Sequence, residues 1–230
     1  MSLKVKLTED DICARIRDSV LEQRLAPGTK LTEESLCDVF GVSRNLIRRA
    51  FLLLSKDNII RLEKNKGAEV ASPTPSEAHE IFEARTIMEN ALLKQAMERA
   101  SAADIKTLRA HLVREQQALT DGDASKWIRL SGEFHIVLGR VAQNAPMSQF
   151  LDLLVFRSSL ILALYGNQAA PSSCKGGEHE RLVDALENKD LPTARQIMAE
   201  HMASLETLLT FEEKDTGQDL HTILGGGSAA

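Results

Sequence analysis

Gly41-Val42-Ser43-Arg44-Asn45-Leu46-Ile47-Arg48-Arg49-Ala50-Phe51 reads as a tight turn followed by the first half of a helix. Gly41 tolerates the positive φ that an inter-helix turn needs. Ser43 is suited to cap the helix through its hydroxyl. Ile47, Phe51 and Leu54 recur at helical spacing and offer a face to a core. Arg44, Arg48 and Arg49 cluster at or near the N-terminal end of the same helix. A DNA-recognition helix presents that end to base edges and phosphates. A capped surface helix with solvated arginines has the same spacing, so the flanking sequence has to decide between the two.

Upstream, Thr8 and Asp11 have capping-box spacing ahead of Ile12, Ile16 and Val20. Ala26-Pro27-Gly28-Thr29 ends that helix. Thr32 is placed to cap a second helix through Phe40, with Leu36, Val39 and Phe40 inward. Downstream, residues 59–63 and 68–71 are short strand-like runs, and Lys64-Asn65-Lys66-Gly67 between them is a hairpin turn. A helix-turn-helix followed by a basic-tipped hairpin predicts a winged helix whose tip meets a phosphate or the minor groove. Lys64 and Lys66 would also suit any solvated hairpin tip.

Charge follows the same division. The chain carries a formal net charge of −5, which taken whole argues against nucleic acid. Residues 1–72, however, have a balance of +2, and residues 44–67 carry seven basic against two acidic side chains. A basic patch on an otherwise acidic protein is a usable phosphate footprint. The 43% hydrophobic content supports a core, and the 4% aromatic content suits an aliphatic helical protein. No run of about 18 apolar residues and no secretory signal is read, so a cytoplasmic protein without a membrane span is expected. Cys13, Cys37 and Cys174 form no zinc or disulfide pattern, as in a reducing compartment.

Ser72-Pro73-Thr74-Pro75-Ser76 is the clearest boundary. It also starts a helix, with Thr74 as cap, Pro75 at the first position and Glu77 three residues after the cap. From there to about Phe211 the pattern is helical throughout. Ser101 with Asp104 opens a second helix and Asp123 caps a third, which carries Trp127, Leu130, Phe134 and Val141. Asn144-Ala145-Pro146 breaks it ahead of an apolar helix to Tyr165. Two more helices follow a loop at 166–177. The expected fold is therefore mainly α: a winged helix-turn-helix with a small β wing over 1–72, an all-helical bundle over 73–213, and a mobile tail over 214–230.

Ala26-Pro27-Gly28-Thr29-Lys30-Leu31-Thr32-Glu33, with Val42-Ser43-Arg44 and Gly67-Ala68-Glu69-Val70, resembles the GntR family of bacterial transcription regulators. The helical half resembles its FCD subgroup through Glu83-Ala84-Arg85 with Glu89, Glu133-Phe134-His135, residues 178–185 and Met198-Ala199-Glu200-His201. The resemblance covers residues 8–211. It implies a homodimer that binds an operator in duplex DNA, most often as a repressor, and responds to a small carboxylate effector. By matching position, Arg44 and Arg48 take the main DNA contacts, with Asn45 and Arg49 as neighbours and Gly67 at the wing. Asn45 replaces a common threonine, so base preference does not carry over, and Arg49 replaces a common glutamate, which adds positive charge at the DNA face.

The resemblance also implies a divalent-metal site built from an Asp, a His four residues later and two further histidines. Here the histidines are His135, His179 and His201, on three helices, while Ser131 stands in the place of the Asp. Imidazole donors favour zinc or nickel over magnesium. A serine hydroxyl is a poor ligand, so either the three histidines bind the ion alone, or the site is weakened, or an effector carboxylate completes it with charge and oxygens, with Arg85 and Ser131 lining the pocket. Arg85 would equally suit a surface pair with Glu89 at i+4. His111 reads as ordinary helix surface. Two rival functions stand beside the regulator with an effector. Three histidines around an open coordination position also describe a hydrolytic zinc enzyme, although no nucleophile motif or phosphate loop accompanies them. A regulator whose helical half only dimerises is the other rival.

Overall fold

The computed structural model describes residues 7–22, 24–63, 67–166, 177–211 and 219–225. They form two compact units, one of residues 1–72 with 212–230 and one of residues 73–211.

In the first unit, α1 (Glu9–Leu21) starts at a Thr8/Asp11 capping box. The two-residue strand β1 (Lys30–Leu31) precedes α2 (Glu33–Phe40), which Thr32 caps through Ser35 N. Gly41 follows with φ 64°, the left-handed turn that a Cβ would disfavour. It delivers the chain into α3 (Arg44–Lys56). Ser43 occupies the cap position of α3, but its hydroxyl makes no capping bond, contrary to expectation. Ser43 is exposed, so water can serve the first-turn N–H groups instead. Then come β2 (Ile60–Glu63) and β3 (Gly67–Val70). The sheet order is β1-β3-β2 with both pairings antiparallel, so β3 is central. Ile12, Ile16 and Val20 of α1 are buried with Leu36, Ile47, Phe51 and Leu54. Side chains of this kind each contribute roughly 1.5–3 kcal/mol when fully buried. This packing holds α3 with its polar side outward.

The second unit is all-helical: α4 (Pro75–Arg99), α5 (Ala102–Thr120), α6 (Ala124–Val141), α7 (Ala145–Tyr165), α8 (Glu178–Glu187) and α9 (Leu191–Thr207). Capping boxes at Thr74/Glu77 and Ser101/Asp104 start α4 and α5, and Asp123, Asn144 and Asp190 cap α6, α7 and α9. At Gly139 an added Cβ would lie 2.6 Å from Leu151 Cδ2, so α6 and α7 approach closely there. By length and composition α7 could cross a membrane, although no unbroken apolar run was read there; 56% of its apolar window is buried inside the bundle. The last helix stops at Thr207, short of the expected Phe211. Thr210 N instead bonds Tyr165 O at 2.8 Å and the Phe211 ring meets that of Tyr165.

The tail expected to be mobile contains a further helix, α10 (Leu220–Leu224). It belongs to the first unit. Leu220 and Leu224 are buried, and Arg24 donates to the carbonyl of Ile223. Two leucines four residues apart suffice to seat one helical turn.

Candidate metal centre and nucleic-acid interface

The exposed side of α3 carries Arg44, Asn45, Arg48 and Arg49, opposite the buried Ile47, Ala50, Phe51 and Leu54. Arg48 Nε donates to Glu33 Oε1 at 2.8 Å, and Arg49 pairs with Glu9 at 2.7 Å. Arg44 has no ion-pair partner among the described residues. The wing-tip lysines Lys64 and Lys66 lie outside the described residues. Gly67 has a structural reason to be glycine: its φ is 97°, and an added Cβ would stand 2.7 Å from the Leu31 carbonyl oxygen. The two-residue strand β1, unread in the sequence, creates that crowding.

His135 on α6, His179 on α8 and His201 on α9 meet inside the bundle. Their Nε2 atoms are 3.1 Å (His135 to His201), 3.1 Å (His179 to His135) and 3.4 Å (His179 to His201) apart. Each Nδ1 faces a different carboxylate. Nδ1 of His135 is 2.5 Å from Glu89, that of His179 is 2.9 and 3.0 Å from the two oxygens of Glu115, and that of His201 is 2.7 Å from Glu178. A carboxylate only accepts, so each Nδ1 is assigned the proton. Burial, then the Arg85 charge, holds His135 well below its ordinary value. Burial also lowers His201, against the opposing hydrogen bond to Glu178. That hydrogen bond in turn is the main cause that lowers Glu178. A neutral imidazole has one N–H. With that proton on Nδ1, three bare Nε2 lone pairs converge on one point. Atoms so spaced can all reach a single ion at about 2.0–2.1 Å, the usual imidazole–zinc distance.

Phe134 stacks on His179 with ring centroids 4.2 Å apart. A cavity of about 480 Å³ opens beside the cluster, lined among others by Glu115, Gln116, Trp127, Glu178, His179 and His201. Arg85 and Ser131, both buried, are not among its lining residues. Arg85 does pair with Glu89, at 2.6 Å, but in the interior and not on the surface. Its Nη1 donates to Ser158, and its buried Nη2 has no hydrogen-bond partner among the described residues. His111 is also interior, 5% exposed, with Nε2 2.7 Å from Leu130 O, which corrects its reading as helix surface. Glu133 lies off the site, paired with Arg114. Sequence reasoning left out Glu115 and gave Glu89 and Glu178, although it named both, no role as imidazole partners. Glu178 and His179 are adjacent in sequence yet serve different partners across the bundle, so no local spacing signals the pairing.

The sequence matches the model of the FCD domain over residues 80–204 and that of bacterial regulatory proteins of the gntR family over residues 8–70. It is 26% identical over 192 residues to the HTH-type transcriptional regulator YdhC of Bacillus subtilis, covering 81% of this chain and 84% of that one. It is 27% identical to the Uxu operon regulator of Haemophilus influenzae over 84% of this chain and 78% of that one. A crystal structure of a putative GntR regulator from Rhodococcus sp. RHA1 superposes with a TM-score of 0.73 at 20% identity, covering 86% of this chain and 95% of that one, which shows a shared fold.

Proposed function

Since the chain belongs to the gntR family of bacterial regulatory proteins and carries an FCD domain, we propose that it is an operator-binding homodimer, acting as a repressor, whose helical unit binds a divalent ion together with a small organic acid. Its domains and relatives are those of DNA-binding transcriptional regulators, not of enzymes. The observation that carries the ion reading is the convergence of three Nε2 atoms with every Nδ1 turned to a carboxylate. Zinc or nickel suits this donor set better than magnesium. The ion would leave at least one coordination position open, and the cavity beside His179 and His201 gives an effector a way in. Effector oxygens would fill that position, while Arg85, which does not line the cavity, would act on the site through Glu89.

On the DNA side Arg44, Asn45, Arg48 and Arg49 would read and position, with Lys64, Lys66 and Gly67 at the wing. One helix reads only a few base pairs, so a two-fold pair on a pseudo-palindrome is the fitting arrangement. The effector alters DNA binding only through different affinities for the DNA-competent and released states. Selection from random duplexes, followed by titration of the selected duplex with and without zinc and small carboxylates, tests this. The expected result is one enriched two-fold motif whose affinity changes when ion and carboxylate are both present. Enrichment with no response to either would leave the helical unit as a dimerisation module.

A further inference from the structure

The three carboxylates behind the imidazoles sit on α4 (Glu89), α5 (Glu115) and α8 (Glu178), while the imidazoles sit on α6, α8 and α9. Every pair therefore crosses between helices. We propose that Glu89, Glu115 and Glu178 are the positioning residues of the ion site and that they supply its charge balance, replacing the aspartate whose place Ser131 takes. This rests on the metal reading above.

Two observations carry it. The first is orientation. Each imidazole is held through Nδ1 by its own carboxylate, and Glu115 uses both oxygens on His179. Such partners fix the tautomer and ring direction and raise the basicity of the coordinating nitrogen. The second is charge. Glu89 and Arg85 are each at most 3% exposed, and Glu115 is 9% exposed. Counted with the guanidinium on Glu89, the three carboxylates carry a formal charge of −2 beside the imidazoles, with Glu89 and Glu115 buried and Glu178 partly exposed. Negative charge held largely away from water is costly without a counter-charge, and one divalent ion offsets it. Arg109, the arginine lining the cavity, is already engaged by Asp184 and Glu187 and does not alter this balance. One reading of the sequence has an effector carboxylate neutralise the ion. The structure supplies that charge from the chain itself. An effector then contributes oxygen donors only, and the ion should bind tightly before it arrives.

The test is calorimetric titration of zinc, and separately nickel, into chelator-treated full-length protein, with and without acetate. Wild type, Glu115→Gln and Glu178→Gln are compared. A glutamine oxygen still accepts from Nδ1 but carries no charge. Wild type should bind the ion with an affinity that acetate changes by less than about threefold. Each variant should bind roughly 10–100-fold more weakly, and acetate should restore part of that loss because it can bring the missing charge to the open position. A purely structural defect would not be rescued by acetate. Cobalt substituted into the site gives a second readout, as its visible spectrum should shift in Glu115→Gln. Variants that bind as tightly as wild type, or a wild type as acetate-dependent as the variants, would overturn the proposal and leave the metal reading standing. A wild type that binds no ion would overturn both.

Discussion

Arg85 Nε lies 2.6 Å from Glu89 Oε1, with both side chains only 2% exposed. The other oxygen of Glu89 meets His135 Nδ1, so one buried carboxylate joins α4 to the imidazole cluster through α6. Breaking a buried pair by removing one partner strands the other charge, at about 3–5 kcal/mol. Arg85→Met should destabilise the helical unit by that order in denaturant unfolding. Arg85→Lys should not restore it, because an ammonium cannot reproduce the fork to Glu89 and Ser158. A loss below about 1 kcal/mol would mean that the pair is not buried in solution.

Arg44 is the exposed arginine of α3 without an ion-pair partner among the described residues, whereas Arg48 is held by Glu33. Arg44→Ala should cost about 1–3 kcal/mol of operator binding and relax specificity at one base pair. Lys66→Ala should weaken all duplexes alike and lower the salt slope by about 1. Fluorescence anisotropy across a salt series separates the two patterns. An Arg44→Ala protein with full affinity and specificity would take Arg44 out of the reading role.

Gly67→Ala places a Cβ against the Leu31 carbonyl at a φ of 97°. The winged-helix unit should lose more than about 1 kcal/mol, the price of forcing a side chain into a conformation it cannot adopt. Thermal unfolding checks it. Unchanged stability with lost DNA affinity would instead assign Gly67 to DNA contact alone.

The Ser101/Asp104 box starts α5, and Ser101→Ala should cost about 1 kcal/mol at pH 7. Asp104 is held below its ordinary value of 3.8, first by the Ser101 hydroxyl and then by the backbone bond. A depressed folded pKa means that the stabilisation is present above the ordinary value and is lost as pH falls through the folded one. The gap between wild type and Ser101→Ala should therefore narrow below about pH 3.8. A gap constant to pH 2 would contradict the cap assignment.

Much of the fold could be read from the sequence because its signals are local. The capping boxes at Thr8, Thr74 and Ser101 and the turn at Gly41 each fall within four residues, and helical periodicity supplies the rest. The three histidines were visible through their family contexts. Their pairing with glutamates was not, since Glu89–His135 and Glu115–His179 are separated by 46 and 64 residues and join different helices. β1 is too short to show alternation, and α10 is a single turn made by tertiary burial of Leu220 and Leu224. His111 looked exposed because its partner, the Leu130 carbonyl, lies on the next helix.

The most direct test of the account is the metal content of chelator-treated protein after dialysis against zinc or nickel, measured for wild type and His179→Ala. The imidazole cluster predicts about one ion per wild-type chain, with most of it lost when His179 is removed. No ion in the wild type, or equal content in both proteins, would contradict it.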